Sequence, residues 1–467
     1  MKQRFLLLVL AVVAAQCAFV EAQAVKVINV RNFGCAGNGV KDDSACVVAA
    51  GKAAIDAAAS GPVELYFPAG RYMINPLAGM ETFKPGATGG VFLDFAPSHA
   101  SNVTIQGDGD SSQLALLPYT ASPHPTQPYN AQVGVVPPRI FYAVLIRFAG
   151  NNESVHKMTF DGNGQGYGAD LCKGTPANPY GCFWISGIVM AGKKDRPLEK
   201  LYVSHNRFLK LPGWPVMTTN TAHVRIANNQ AEESEGMVCS NGSSDCIIDQ
   251  NSSTNSHDAP YACNGGTGDG QQVADCFITN NTASVGNNGA GIDVTGAWNA
   301  TVTGNTISGS SNWCIQVTRS GGTYRSNFST GLLPSRDVLV KGNTCLGNNH
   351  WEGWPLNGEI LVGDVYECPK SGEGKCWTGP YTPGATAKNV TVVGNHCSVK
   401  NGWGTCVVVG FGALDVTIEG NEMTGCGTRD KVPRSIWIDG GATTARVRVG
   451  QNTLQSRAAG CMGQVYH

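Results

Sequence analysis

The sequence predicts an all-β chain: one solenoid of stacked coils, each built from short strands that run the same way. Three observations predict it. First, an apolar-x-x-Asn cadence ends at Asn206, Asn229, Asn251, Asn281, Asn305, Asn343, Asn395, Asn421 and Asn452, in steps of 23, 22, 30, 24, 38, 52, 26 and 31 residues. Steps in the low twenties fit one coil of short strands, and longer steps are coils with inserted loops. Second, residues 289–305 (GAGIDVTGAWNATVTGN) give the clearest single copy. There two alternating strands flank a Gly turn, sending Ile292 and Val294 inward and Asp293 outward. Third, 60 Gly in 467 residues with only 14% charged residues suit a turn-rich fold with a large core.

At the N-terminus, Lys2 and Arg4 precede an apolar run from Phe5 to Val13, and small residues come next near Ala22. This reads as a signal peptide over residues 1–22 that delivers the protein to the extracellular space or cell wall. Residues 23–467 then form a single β-helix domain, with a cap region at 23–75 and coils with inserted loops at 76–467. No later run is apolar enough to span a membrane, and a monomer is expected. Seventeen cysteines less Cys17 leave sixteen, an even number suited to disulfides in an oxidising compartment. The expected bridges are Cys35–Cys46 and, between equal positions of successive coils, Cys239–Cys263 and Cys246–Cys276. Eight Asn-x-Ser/Thr sequons fit secretion; Asn102 and Asn299 fall in predicted turns, whereas Asn251 belongs to the interior Asn series and is not expected to carry a glycan.

Residues 27–74 hold a strand, a Gly-rich turn with Asp42, Asp43 and Ser44, a helix predicted over 44–59, and a strand ending FPAGRY. The Val47, Val48, Ala54, Ile55 and Ala58 face of that helix can cover the open end of a solenoid, and the two Asp residues serve as helix N-cap. This stretch resembles the opening of the pectate-lyase-like superfamily of right-handed parallel β-helices. The resemblance implies a right-handed helix, a polysaccharide partner lying across several coils, and hydrolase, lyase or epimerase chemistry. The site motifs of the polygalacturonases and of the alginate epimerases are not legible here, so no site residue carries over.

Later coils are placed by their outward-facing strands, at Val91, Val144, Val189, Met217, Val238, Ala262, Asp293, Gln316, Leu361, Val408 and Trp437. Inserted loops at 264–275, 319–336 and 364–388 leave one end of these strands, and loops at 166–182 and 346–357 approach the other. Such walls make a groove. Within the outward column as aligned, running from Val189 to Trp437, Asp293 is the one carboxylate; Glu235, His257 and Asp258 lie just before the strand in adjacent coils. Glycosidic hydrolysis needs two carboxyl groups, so Asp293 with Asp258 is the preferred pair, Asp293 working ionised, and His257 and Glu235 are further candidates. Gln316 and Arg319 would contact substrate, and Trp313, Trp351, Trp354 and Trp437 would stack on sugar faces.

The formal net charge of −1 and the lack of any dense Lys/Arg run exclude nucleic acid as a natural partner. No metal spacing stands out and no cofactor is expected; calcium enters only if the reaction is a lyase. A secreted glycoside hydrolase is the first reading, a lyase or epimerase on the same scaffold the second, and a non-catalytic glycan-binding wall protein the third.

Overall fold

The computed structural model describes residues 24–75, 78–80, 89–117, 141–163, 183–211, 213–256, 258–265, 272–286, 289–320, 333–348, 358–364, 384–399, 405–424, 427–429, 432–438, 445–455 and 465–466. Strands enter three sheets in rotation. In the reference coil Ile292–Thr295 lies in sheet I, Ala297–Thr303 in sheet II and Thr306–Ser308 in sheet III, after which Ile315–Thr318 returns to sheet I beside the first. Among the described residues, sheet I has 12 strands and sheets II and III have 13 each. Within each of the three, every neighbour pair is parallel. The chain is a right-handed parallel β-helix, as expected.

Period-two alternation explains the packing. Ile292, Val294, Ile315, Val317, Ile360 and Val362 are all 0% exposed inside the coils, and each meets its counterpart one rung away. No coil could bury these residues alone, so stacking itself creates the core.

Helix α1, Ser44–Ala58, packs on the first strands of all this: Lys26–Asn29, Val63–Phe67 and Gly89–Asp94. It covers the open end with Val47, Ala50 and Ala54, each 0% exposed. A Cβ at Gly51 would stand 2.7 Å from Leu93 Cδ2, so the absence of a side chain lets the cap sit close. The capping chemistry differs in detail from the expected one. Asp42 Oδ1 accepts from Ser44 N at 2.8 Å, whereas Asp43 makes no cap and instead holds the Gly-rich turn, accepting from Ala36 N and Gly37 N at 2.7 and 2.8 Å.

The Asn series is scaffold. From Asn206 to Asn421 each Asn donates both its backbone N–H and its Nδ2 to the Oδ1 of its successor, as Asn281 does to Asn305 at 2.9 and 3.0 Å. The second Nδ2 hydrogen goes to a carbonyl, Ile248 O for Asn281. Every polar atom in that buried turn is thereby paired.

The disulfides require a correction. Cys239 and Cys246 are in register with Cys263 and Cys276 on adjacent rungs, as aligned. The bond nevertheless runs across the coil, Cys263 to Cys276, with a Cα–Cα distance of 6.4 Å. Side chains stacked on adjacent parallel strands point the same way, whereas inward residues of sheets I and II face each other. Cys314–Cys345 likewise crosses the interior, from sheet I to sheet III, and Cys35–Cys46 forms as expected.

No helix among the described residues is long and apolar enough to cross a membrane. The expected leader and the bodies of the expected wall loops lie outside the described residues. Their flanks leave sheet I at Asn264, Arg319 and Asp364, the predicted points.

Candidate active site on sheet I

Register fixes the outward column of sheet I as Asp94, Arg147, Val189, Met217, Val238, Ala262, Asp293, Gln316, Leu361, Val408 and Trp437. The column therefore holds a second carboxylate, at the far N-terminal end. Arg147 neutralises it, donating from Nε and Nη2 to Asp94 Oδ1 and Oδ2 at 2.9 and 2.6 Å. Asp293 alone sits mid-stack.

Its environment is shaped rung by rung. Gln316 Nε2 donates to Asp293 Oδ1 at 2.8 Å. Surrounding protein pushes the Asp293 carboxyl up to about 7; the Gln316 hydrogen bond opposes the rise and the charge of Asp258 adds to it. Asp258 precedes the strand Tyr261–Asn264, its Oδ1 accepting from Ala259 N at 2.8 Å and its carbonyl from Ser256 Oγ at 2.7 Å. Its carboxyl is also raised, by desolvation first and against the Ala259 N–H, although its surface stays exposed on one side. Since that open side lets water hold its charge, Asp258 stays the more easily ionised of the two. Gly289, at φ 101, lies against it: a Cβ there would stand 2.5 Å from Asp258 Oδ1. The approach of Asp258 to the coil of Asp293 thus depends on a missing side chain.

Toward the C-terminal end, Ala290, Trp313, Leu361 and Val408 form an apolar cluster separate from the main core, with Trp437 packed on it. Trp313 is 3% exposed, so in this conformation its ring offers no open face for a sugar, whereas Trp437 is half-buried. A polar ledge lines the ends of the sheet I strands: Thr219 with Ser240 at 3.1 Å, Thr295 donating to Asn264 at 2.8 Å, and Thr318 donating to Asp364 at 2.6 Å. Arg319 Nε meets Asp364 Oδ2 at 2.7 Å in a pair that is nearly buried.

The structure thus brings Asp293, Asp258 and Gln316 together and places Arg319 three residues beyond Gln316, tied to Asp364. Glu235 is buried at 2% exposed. His257, Trp351 and Trp354 lie outside the described residues. Asp364 is the residue that sequence reading missed; its signal was its place, like that of Arg319, at the end of a sheet I strand. Glu359, in line with Cys314 and Cys406, faces the interior, where Asn348 Nδ2 donates to it at 2.7 Å and burial pushes its carboxyl up to about 8. Among the described residues two clusters combine cysteines with a carboxylate, Cys35/Asp43/Cys46 and Cys314/Cys345/Glu359, but their sulfurs are already joined in disulfides.

Residues 27–122 match the family described as rhamnogalacturonase A/epimerase, pectate lyase-like. No curated protein matches the sequence. Among solved structures, the A-module of a mannuronan C-5 epimerase of Azotobacter vinelandii is similar over 94% of this chain and 97% of that one, at 16% identity and TM-score 0.56. A surface adhesin of Streptococcus pneumoniae covers 92% of this chain and 90% of its own, at 13% identity and TM-score 0.54. The catalytic domain of an α-1,3-glucanase in complex with nigerose covers 96% of this chain and 69% of its own, at 13% identity and TM-score 0.52. At such identities the likeness is one of fold.

Proposed function

From a pectate-lyase-like right-handed β-helix fold as premise, we propose that the protein acts on an extracellular polysaccharide, hydrolysing a glycosidic bond with Asp293 and Asp258. The observation that carries this reading is the pairing itself: two carboxyl groups on adjacent rungs at the outward side of sheet I, near enough for the charge of one to raise the other. Like charges held together cannot both ionise easily, which separates an acid from a base. Asp293, pushed up to about 7, is the proton donor to the leaving oxygen. Asp258, open to water on one side, is the ionised partner that activates water or attacks the sugar. This reverses the ionised role that the sequence alone suggests for Asp293, because crowding by protein around the strand is invisible in the sequence.

Gln316 positions Asp293 and keeps its carboxyl from rising further. Of the polar ledge, Thr219 and Asn264 are partly exposed and can meet sugar hydroxyls, whereas Thr295 and Thr318 are buried and brace the strand ends. A lyase route is less well supported: it needs a proton acceptor, and Arg319 is held by Asp364. Calcium would belong to that route.

The test is a polysaccharide panel that includes uronic-acid polymers and α-1,3-glucans. New reducing ends without ultraviolet-absorbing unsaturated products support hydrolysis, and loss of that activity in Asp293→Asn assigns the acid. Unsaturated products would replace hydrolysis with elimination, and tight binding with no product from any polymer would leave a glycan-binding protein.

A further inference from the structure

From its third strand on, each strand of sheet II has near its start a residue in the left-handed region. Register stacks these into one column: Asn102, Asn152, Lys200, His223, Asp245, Asp275, Asn299, Asp337, Asn389, Asp415 and Arg446. Their φ values run from 49 to 64. Asn and Asp tolerate that conformation better than other side chains, which accounts for their frequency here.

Backbone tolerance does not account for the residue two places further on, an outward position of the strand. After the four Asn residues it holds Thr104, Ser154, Thr301 and Thr391, so all four are sequons. After the seven other members it holds Tyr202, Arg225, Ile247, Phe277, Leu339, Thr417 and Arg448, with Ser or Thr in one case of seven. A strand's need for β-branched outward residues would treat both sets alike. The hydroxyl travels with Asn.

We propose that this column is a ridge of N-linked glycans, attached at Asn102, Asn152, Asn299 and Asn389. All four are exposed, and none is on sheet I, so the groove face carries no sugar from them. Attachment occurs in the secretory pathway that the N-terminal segment predicts. The Asn Nδ2 displaces the lipid diphosphate from the anomeric carbon of a lipid-linked oligosaccharide; the C–N bond forms, the C–O bond to phosphate breaks, and one amide proton leaves. One amide N–H remains, enough to keep the single bonds seen for Asn299 to Asp275 and Asn389 to Asp337 at 2.5 and 2.7 Å. Asn102 and Asn152 are one rung apart, about 4.8 Å, so two glycans crowd there and the pair shares occupancy. Asn251, also a sequon, is 2% exposed with both Nδ2 hydrogens used inside the ladder, and stays bare.

Expression of the full chain in a glycosylating eukaryotic host, with glycopeptide mapping of the secreted protein, tests the ridge. Glycan is expected at Asn299, at Asn389 and at one or both of Asn102 and Asn152. Thr301→Val and Thr391→Val should each remove one glycan without loss of secretion. Asp415→Asn should add one, because it completes Asn-Val-Thr at the next rung. Glycans confined to Asn241, Asn280 or Asn327, glycan on Asn251, or protein with no glycan would each overturn the proposal.

Discussion

Gln316 donates to Asp293 across one rung of sheet I, Nε2 to Oδ1 at 2.8 Å, and this bond opposes the rise that burial imposes on the carboxyl. A donor that serves the ionised form lowers a carboxyl's pKa, so its loss must raise it. With Asp293 as proton donor, activity should fall as pH rises through about 7. Gln316→Leu should move that alkaline limb to higher pH, measured as kcat against pH. Asp293→Asn should lower kcat by about 100-fold or more with little change in KM, the mark of an interaction made in the transition state. An unmoved limb in Gln316→Leu would remove Asp293 from the acid's role.

Gly289 makes a second test of the pair. A Cβ there would meet Asp258 Oδ1 at 2.5 Å, at a φ of 101 that side chains rarely adopt. Gly289→Ala should cost about 1–2 kcal/mol of stability from backbone strain alone. It should also displace Asp258 and cut kcat by roughly tenfold or more, since misplacement by about 1 Å is enough. Full activity in a destabilised variant would show that Asp258 is a bystander.

The Asn ladder predicts a gradient of cost. Asn305 is 1% exposed and accepts from both Asn281 N and Asn281 Nδ2, while donating to Ile278 O and Asn343 Oδ1. Asn305→Ala orphans these groups where water cannot reach them, at about 1–3 kcal/mol for each one left unpaired. Asn452 ends the ladder and is only half-buried, so water can replace it in Asn452→Ala. Urea titration should show the larger midpoint shift for Asn305, and equal shifts would contradict the ladder's role.

Much of this was legible because it is repetitive. The Asn ruler and period-two alternation are enough to put Asp293 in line with Ala262 and Gln316, and the register agrees. What repeats cannot convey is direction across the coil. Cys263 has an equally spaced partner along the column in Cys239, and only the angle between sheets selects Cys276. Electrostatics is similarly hidden: nothing local marks Asp293 as crowded, or Trp313 as covered by Leu361 and Val408. Asp94 escapes for a simpler reason, since the apolar run that marks its strand stops at Leu93.

That geometry predicts two more bridges. Cys239 and Cys246, both buried free thiols, occupy, one rung earlier, the positions that join in Cys263–Cys276. Cys397 and Cys406 touch, each Sγ within 3.9 Å of the other's carbonyl. In protein secreted under oxidising conditions both pairs should close by exchange with a disulfide donor, which takes up the two electrons. Non-reducing peptide mapping should return Cys239–Cys246 and Cys397–Cys406. Alkylatable thiols at these four positions, or bridges running along the column, would contradict it.

Glu359 sets a pH dependence of stability that is independent of catalysis. Burial pushes its carboxyl up to about 8, from a usual value of 4.5, so the folded protein holds a proton there that the unfolded chain has released. Between those values the folded state binds more protons, and stability falls with rising pH, by at most about 1.4 kcal/mol per unit. Glu153, pushed up to about 9, adds a slope of the same sign. The protein should therefore be most resistant to heat in mildly acidic buffer and weaken toward pH 8. Glu359→Gln keeps the shape and one of the two bonds that Asn348 N and Nδ2 donate to it, but cannot ionise. It should flatten the decline of Tm between pH 5 and 8, leaving the slopes due to Glu153 and Asp293, and a variant with an unchanged slope would show that Glu359 is ionised in the folded protein.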